Sequence, residues 1–313
     1  MVLAFVLAVF AQAATAQFPN KAIHLIIPFP SGGSSELGAR IVAEPLGELL
    51  GTPILVETRP GGDGIVGAQA VMRAAPDGYT LFYATNTAFN WVPVTRKTPP
   101  YDPTADFTPV SLVGYFGFFL FTNPGVPAKS VEELIGYARA NPGKLYYGTG
   151  TSTAQLLAAQ VKHINNLDIV EVPYRGDGPL GIDLLGGRVQ MAFATAGTLI
   201  PQVKEGRLRV LAAMFPNRSP LLPDVPTAQE AGLGSMNIRP WAGLFGPAKM
   251  SREIADRLAG GVAAVLARQD VRERLAKIAF EAKSSTPEEL AAFLEDQIKI
   301  WRETARRVGI REE

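Results

Sequence analysis

The stretch that decides the fold is Ile26-Ile27-Pro28-Phe29-Pro30-Ser31-Gly32-Gly33-Ser34-Ser35-Glu36-Leu37-Gly38-Ala39-Arg40. An apolar β-type run over 24–29 stops at a proline, small residues follow, and a helical pattern starts at Glu36. Such a loop leaves bare backbone N–H groups and hydroxyls at the positive end of a helix. The stretch therefore predicts a strand–loop–helix unit with an anion-binding site in its loop.

The same strand–helix rhythm continues along the chain. The first helix is predicted to run from Glu36 to Leu50, with Pro45 kinking or breaking it. Further strands are predicted at 53–58 and 79–85, and again, beyond a long apolar segment at 110–122, at 144–148, 168–174, 188–194, 207–214 and 238–245. Helices are predicted between them, and three more close the chain. Repeated βαβ units favour parallel sheets with helices on both faces.

The sequence thus predicts an α/β protein of two doubly wound lobes with a ligand cleft between them. The apolar segment 110–122 is expected to carry the chain from one lobe to the other, and the strand at 238–245 to bring it back. The first lobe would comprise 17–122 plus 241–313, and the second 123–240. Ligands of such folds bind at the carboxyl ends of the strands.

The amino-terminal residues are expected to be an export signal. The apolar run ends in Ala14-Thr15-Ala16, which has the form of a signal-peptidase site, although the usual basic residues before the run are missing. A buried amino-terminal strand or helix is the alternative. We expect a signal peptide over 1–16, cleavage near Ala16 and a periplasmic protein.

Composition limits the partners and the chemistry. The 30 Lys and Arg residues balance 29 Asp and Glu residues, so no overall field would attract nucleic acid or an anionic membrane. No cysteine is present, which excludes disulfides and thiol chemistry. The two histidines, His24 and His163, lie outside the Gly/Ser loops and are expected to be structural. Common nucleotide, hydrolase and metalloprotease motifs are missing, so we expect no cofactor, no metal and no catalysis.

A second loop, Thr149-Gly150-Thr151-Ser152-Thr153, repeats the construction of the first. Both loops follow a strand, open a helix and offer hydroxyls and N–H donors, although simple helix capping would explain either one alone. Facing each other across a cleft, they would hold a small carboxylate from both sides. Arg175 and Asp177 follow another strand end. Candidate aromatic walls of the cleft are Phe29, Phe89, Trp91 and Trp241, for which burial in the core is the alternative.

The stretch PFPSGGSSELGAR resembles the amino-terminal signature of the Bug/TctC family, the substrate-binding proteins of tripartite tricarboxylate transporters. Other stretches that match in order are VETRPGGDGIVGAQAV, AAPDGYTLFYAT, PYDPTADFTPVSLVG, YGTGTST, VPYRGDGPLGIDLLGGRVQ, LPDVPTAQEAG and WAGLFGPA. The resemblance implies a monomeric binding protein of the periplasmic type II architecture that closes by a hinge on a small carboxylate. One carboxylate would be held by the loops that here are 30–36 and 148–153.

The chain departs from the family pattern at several positions. Glu36 stands where the family usually has Asp, and Gln190 where many members have Asp. Arg239 is a candidate partner for a distal carboxylate. Asn86, Phe89 and Trp91 predict a flatter, more apolar site, hence an aromatic or longer-chain dicarboxylate. The expected ligand contacts are Phe29, Ser31, Gly32, Gly33, Ser34, Ser35, Glu36, Asn86, Trp91, Gly148, Thr149, Thr151, Ser152, Thr153, Arg175, Asp177, Thr195 and Arg239.

Three other functions stay open at this level. The protein would be a secreted hydrolase or transferase if Glu36 or Asp177 served as a base. It would be a sensor if it handed its ligand to a signalling protein rather than to a transporter. An effector domain of a transcription regulator is disfavoured, because no helix-turn-helix precedes the first lobe.

Overall fold

The computed structural model describes residues 18–197, 199–214, 216–234, 238–310 and 312. The expected signal peptide, 1–16, lies outside the described residues. The described residues form eleven strands and ten α-helices, and most of them follow the predicted alternation of strands and helices. Within the described part of the chain, no helix combines the length and the apolar character that crossing a bilayer requires.

The first lobe is built on a mixed sheet. Its strands are β1 (Ile23–Ile27), β2 (Ile54–Thr58), β3 (Thr80–Thr85), β4 (Phe107–Phe116), β10 (Trp241–Pro247) and β11 (Phe280–Ala282), and its helices α1 (Ser34–Leu50), α2 (Ile65–Met72), α3 (Val92–Thr95), α8 (Arg252–Ala267), α9 (Gln269–Ala276) and α10 (Pro287–Arg307). The strand order is β11-β4-β10-β3-β1-β2. β1 pairs in parallel with β2 and β3, whereas β10 runs antiparallel to β3 and β4.

The second lobe repeats this plan with five strands. These are β5 (Phe118–Thr122), β6 (Tyr146–Thr149), β7 (Val170–Pro173), β8 (Met191–Thr195) and β9 (Arg209–Ala213), joined by α4 (Val131–Ala140), α5 (Ser152–Asn165), α6 (Asp177–Leu185) and α7 (Ile200–Lys204). The strand order is β7-β6-β8-β5-β9. β6 is parallel to both its neighbours, and β5 is antiparallel to both of its own. Two α/β lobes confirm the predicted fold class.

The long apolar segment does cross between the lobes, but earlier than the predicted boundary after Thr122. β4 ends at Phe116 in the first sheet, and β5 starts at Phe118 in the second, so Gly117 is the crossing point. The strand that brings the chain back is β10, as expected. The Phe116 N–H donates to Pro240 O, which joins the two crossing segments, and the Gly117 N–H donates to Ala279 O, just before β11.

The last helix contributes to two core clusters. Leu290 and Leu294, near its start, pack in a core cluster of the first lobe. Trp301 and Ala305, further along the helix, belong to a cluster that contains Trp91 and Val94 of the first lobe together with residues of the second. A capping box at Thr286 starts this helix, as its sequence predicts.

The sequence predicted that Pro45 would either kink or break the first helix. The prediction of a break is wrong. α1 runs without interruption from Ser34 to Leu50, and Pro45 is buried within it. Val42, Ala43 and Leu46 pack into the first core around this position. Burial of that apolar face offsets the one backbone hydrogen bond that a proline removes.

Candidate functional site

The first Gly/Ser loop leaves the start of α1 without a side-chain cap. Gly33 is the N-cap residue in extended conformation, and no side chain accepts from the N–H groups of the first turn. The N–H of Gly32 is taken by Glu36 Oε2 at 2.7 Å, and the other Glu36 oxygen accepts from Arg40 Nε at 2.9 Å. The hydrogen bonds from Gly32 and Arg40 hold the pKa of Glu36 below its usual range. Glu36 therefore shapes the loop, and this engagement disfavours a role as general base.

The second loop uses its hydroxyls within the protein. Thr149 Oγ1 donates to Glu171 Oε1 at 2.7 Å. Thr151 caps α5, because its Oγ1 accepts from the N–H of Ala154 at 3.2 Å. The capping role foreseen as the alternative reading thus holds for Thr151, and α5 begins at Ser152, two residues before the predicted start.

Among the described residues, three side-chain hydrogen bonds join the lobes, each between a residue of the first lobe and one of the second. Ser34 Oγ and Thr195 Oγ1 are 2.8 Å apart, and Ser152 Oγ and Thr87 Oγ1 are 2.9 Å apart. Asn86 Nδ2 donates to Thr153 Oγ1. Both loops therefore lie at the contact between the lobes, and the starts of α1 and α5 converge there.

Asp177 continues the contact into the second lobe. Its Oδ2 accepts from the N–H of Thr195 at 3.0 Å and from Thr195 Oγ1 at 2.6 Å. Because the Thr195 hydroxyl gives its hydrogen to Asp177, the Ser34 hydroxyl must donate to Thr195. Burial raises the pKa of Asp177, although the Thr195 hydrogen bonds act in the opposite direction. The result is a chain of hydrogen bonds, from Ser34 to Thr195 and from Thr195 to Asp177, that starts in one lobe and ends in the other.

A cavity of about 1080 Å³ opens from this contact. Its walls come from the ends of β1 and β2 and the segment after β3 in the first lobe, and from the ends of β6 and β7 in the second. Predicted contacts that line it are Phe29, Trp91, Thr149, Thr151, Ser152 and Arg175. Predicted contacts that lie at the lobe contact behind it are Ser34, Asn86, Thr153, Asp177 and Thr195.

The remaining predicted contacts sit at the edge of this region or away from it. Ser31 and Gly32 are exposed, and Gly33, Ser35 and Glu36 are half-buried in the first loop. Gly148 is buried within β6, where an added Cβ would come within 2.0 Å of Leu180. Gly148 thus allows α6 to pack on the sheet, which is a structural reason for a glycine there.

Arg239 does not reach the cavity. Its guanidinium donates to Glu281 Oε2 at 2.6 Å and lies 4.2 Å from the ring centre of Tyr115. Both partners belong to the first sheet, beside the point where the chain returns to it. In this structure the charge of Arg239 is neutralised by Glu281, and its pairing with a distal carboxylate of a ligand stays a prediction.

Two of the four candidate aromatic walls are core residues. Phe89 and Trp241 are fully buried among Phe82, Phe107 and Phe245. Phe29 and Trp91 do line the cavity. Trp91 packs edge-on against Trp301 of α10, with ring centres 6.3 Å apart. The apolar wall is thus narrower than the sequence predicted.

Several lining residues were not predicted. The Gly-rich loop at 60–64 lines the first-lobe side, and Glu171 and Gln155 line the second-lobe side. The loop had a usable signal, since it follows β2 directly and glycines there leave N–H groups accessible. Glu171 had none, because one acidic residue in an alternating strand is usually solvated. Neither histidine lines the cavity, and His24 instead pairs with Glu57 at the edge of the first sheet.

The arrangement offers dipoles and hydroxyls rather than a reactive group. Among the described residues, no cluster of three or more His, Asp or Glu side chains is arranged to hold a metal ion. The starts of α1 and α5 direct their positive ends toward the cleft. Such a site is suited to holding a small anion.

Comparison with known proteins agrees with this architecture. Residues 38–310 match the family model described as tripartite tricarboxylate transporter family receptor. The chain is 32% identical over 295 residues to the protein BugT of Bordetella pertussis, an alignment that covers 93% of this chain and 90% of BugT.

Solved structures give the same result. Rpa4515 of R. palustris, solved with adipate, superposes with a TM-score of 0.91 at 31% identity and covers 95% of this chain and 100% of its own. MatC of Rhodopseudomonas palustris, solved with bound malate, superposes with a TM-score of 0.84 at 29% identity and covers 92% of this chain and 99% of its own. The resemblance seen in the sequence is confirmed: the chain belongs to the family of tripartite tricarboxylate transporter receptors, the Bug/TctC-type periplasmic solute-binding proteins.

Proposed function

We propose that the protein captures a small organic carboxylate, most simply a dicarboxylate, in the cleft between its lobes and delivers it to a tripartite tricarboxylate-type transporter. The observation that carries the proposal is the convergence of the α1 and α5 amino termini on one interlobe contact. Uncapped N–H groups at the start of α1 provide donors for one carboxylate of the ligand. Adipate and malate, bound by the relatives Rpa4515 and MatC, set the expected size range.

The cavity accommodates more than a short aliphatic chain. Its volume of about 1080 Å³ exceeds what malate needs, and Phe29 and Trp91 supply apolar surface. An aromatic or longer-chain dicarboxylate therefore stays within the proposal. Closure of the lobes would bury the ligand and present a composite surface to the membrane components.

No catalytic step forms part of the proposal. Of the two candidate bases, Glu36 is engaged by Gly32 and Arg40, and Asp177 by Thr195. The protein is proposed to act in the periplasm after removal of the signal peptide near Ala16, as a monomer that binds neither nucleic acid nor a cofactor. Membrane partners would recognise the closed form.

The test is thermal unfolding of the mature protein against a panel of carboxylates, with aliphatic dicarboxylates, tricarboxylates, aromatic acids and acidic amino acids. A ligand at about 100 times its Kd stabilises a protein by about 2.7 kcal/mol, which raises the midpoint by a few degrees. We expect one chemical group of acids to raise it. If protein freed of co-purified ligand responds to no acid, the proposed function is wrong.

A further inference from the structure

Two residues just beyond the end of α10, Gly309 and Ile310, line the cavity between the lobes. Gly309 adopts a φ of +76°, and its N–H donates to Arg306 O at 3.2 Å. The Ile310 N–H donates to Ala305 O at 2.9 Å. These two bonds form a Schellman motif, in which a glycine in the left-handed region ends the helix and the next residue packs back against it. The position of Ile310 therefore follows from the way in which α10 ends.

Ile310 joins an apolar cluster that reaches the cavity. Its side chain is half-buried and packs against the core cluster that contains Trp91, Trp301 and Ala305. Trp91 and Ile310 both line the cavity, so this cluster supplies part of the cavity wall. Val308 packs against the same cluster but does not line the cavity. Val308 and Ile310 thus share one core and differ in their access to the cavity.

The cavity extends well beyond the helix starts where the ligand carboxylate is proposed to lie. The residues of α5 that line it are Ser152, Gln155 and Ala159, which share one face of the helix because they are three or four positions apart. The distance along the helix from Ser152 to Ala159 is about 10 Å. A four-carbon acid such as malate, with C–C bonds of about 1.5 Å, spans only about half of this distance. A longer skeleton is therefore needed to fill the cavity from the helix start.

Charge does not select the length of the ligand. The charged residues that line the cavity are Arg96, Arg175, Asp63, Glu171 and Glu312. Because both signs are present, these side chains do not determine how far the rest of the ligand extends from its bound carboxylate. The apolar part of the wall can make that distinction, since the buried apolar surface grows with each methylene group of the ligand.

We infer that Ile310 is a specificity-determining residue of the binding site. Together with Trp91 it receives the apolar part of the ligand that is remote from the bound carboxylate, and it limits the length of that part. The inference rests on the proposed function, in which the carboxylate lies at the starts of α1 and α5. The ligand is then an acid with an aromatic ring or with a chain of about six carbons or more, rather than a four-carbon acid.

The experiment measures affinity along a series of acids of increasing length. Isothermal titration would give the Kd of succinate, adipate, suberate and sebacate. If aromatic acids are the class that raises the unfolding midpoint, the series is benzoate, 4-methylbenzoate and 4-ethylbenzoate. We expect the affinity of the wild-type protein to rise to an optimum at adipate or beyond, or along the aromatic series, and then to fall. An optimum at succinate, or equal affinities along the aromatic series, would overturn the inference while leaving the proposed function intact.

Variants then assign the wall to Ile310. Ile310→Ala should move the optimum to a longer acid, and Ile310→Trp should move it to a shorter one. The ratio of the Kd values of two successive acids should change by about tenfold, the lower end of what one methylene group contributes in an apolar pocket. Val308→Ala removes a side chain that packs on the same cluster but leaves the cavity wall in place. It is the matched control and should keep the wild-type order of preference.

Two results would contradict the role of Ile310. One is an optimum that is unchanged in both Ile310 variants. The other is an equal loss of affinity for every acid in Ile310→Ala and in Val308→Ala, which would assign both residues to the stability of the cluster alone. If no acid of either series, nor any acid of the wider panel, binds the wild-type protein, then the proposed function itself fails, and this outcome is distinct from the others.

Discussion

Ser34 Oγ, in the first turn of α1, lies 2.8 Å from Thr195 Oγ1, at the end of β8 in the other lobe. The two residues are 161 positions apart in the sequence. The Thr195 hydroxyl in turn donates a hydrogen bond to Asp177. The bond between Ser34 and Thr195 therefore connects the start of α1 in one lobe with the start of α6 in the other. This hydrogen bond lies at the contact that the two lobes form when they close.

Replacing Ser34 by Ala should weaken ligand binding. The change removes the hydrogen bond to Thr195 and one hydroxyl at the proposed carboxylate site, for a loss of about 0.5 to 2 kcal/mol. Titration calorimetry with the best acid of the panel would measure it. Thr98→Ala, which removes an exposed hydroxyl of the first lobe that does not line the cavity, is the control and should bind as the wild type does. Equal affinities in all three proteins would mean that the first loop is not the site.

A methyl group on Gly197 should obstruct closure. A Cβ added there would overlap Ser34 Oγ, so the serine must rotate away from Thr195 or the lobes must separate. Overpacking of this kind costs about 1 to 3 kcal/mol, and we expect Gly197→Ala to lower affinity with little effect on the stability of the unliganded protein. Gly178→Ala, which meets no atom within 4 Å, is the control.

The obstruction can be separated from other effects of the methyl group by a double mutant. In a Ser34→Ala background the overlapping oxygen is gone, so the added cost of Gly197→Ala should become smaller. Strictly additive losses would show that the methyl group acts by some route other than the contact with Ser34.

The stability of the protein should depend on pH through Asp177. Burial raises its pKa in the folded state above the unfolded value of about 3.9, so the folded protein holds this proton more strongly. The stabilisation that protonation provides is complete below the unfolded pKa and is lost as pH rises through the folded pKa.

Asp177→Asn removes this titration and should therefore be more stable than the wild type at neutral pH. Denaturant unfolding at a series of pH values would follow the difference, which should shrink as the pH falls below the unfolded pKa. A difference that is constant with pH would show that the Asn acts through packing or hydrogen bonding instead.

Arg239 should matter for stability and not for affinity. Its contacts with Glu281 and Tyr115 fasten the returning chain to the first sheet, so Arg239→Ala should destabilise the protein by about 1 kcal/mol. Arg239→Lys keeps the charge but loses the planar stacking, and should cost less. A selective loss of ligand affinity in Arg239→Ala, at unchanged stability, would restore the ligand role that the sequence suggested.

Replacement of either of two adjacent glycines of α8 by alanine should change the stability of the protein, but in opposite directions. Gly260 is exposed, and an added Cβ would meet nothing within 4 Å, so Gly260→Ala should stabilise the protein by about 0.5 to 1 kcal/mol. At Gly261 the Cβ would lie 2.8 Å from Leu46 Cδ1 on α1, so Gly261→Ala should destabilise it. Chemical denaturation of the two variants would show whether α1 and α8 pack as closely as the structure indicates.

The order of strands and helices could be predicted because each depends on local pattern. Alternating apolar runs gave the strands, and capping signals at Ser130 and Thr286 marked helix starts that the structure confirms. The three-residue β11 and the π-helical turn at Thr87–Trp91 were missed. Neither has a local signal: β11 pairs with the edge of β4, and Trp91 of the turn packs against Trp301, so both depend on residues distant in sequence.

The candidate site was predictable in its location and less so in its details. Gly and Ser between a strand and a helix indicated both loops, and both lie at the lobe contact. Which hydroxyls are engaged depends on partners from distant parts of the chain, as with Thr149 and Glu171 or Asn86 and Thr153. Arg239 was expected near the crossing point between the lobes, but no local pattern indicates that Glu281 on β11 would pair with it.

The course of α10 has a consequence for how the protein can be divided. Because Trp301 and Ala305 belong to a core cluster that contains residues of both lobes, neither half of the molecule is a self-contained module. Separating the lobes would divide this cluster, and the apolar residues on both sides of the division would be exposed. The two lobes should therefore unfold together, as one cooperative unit.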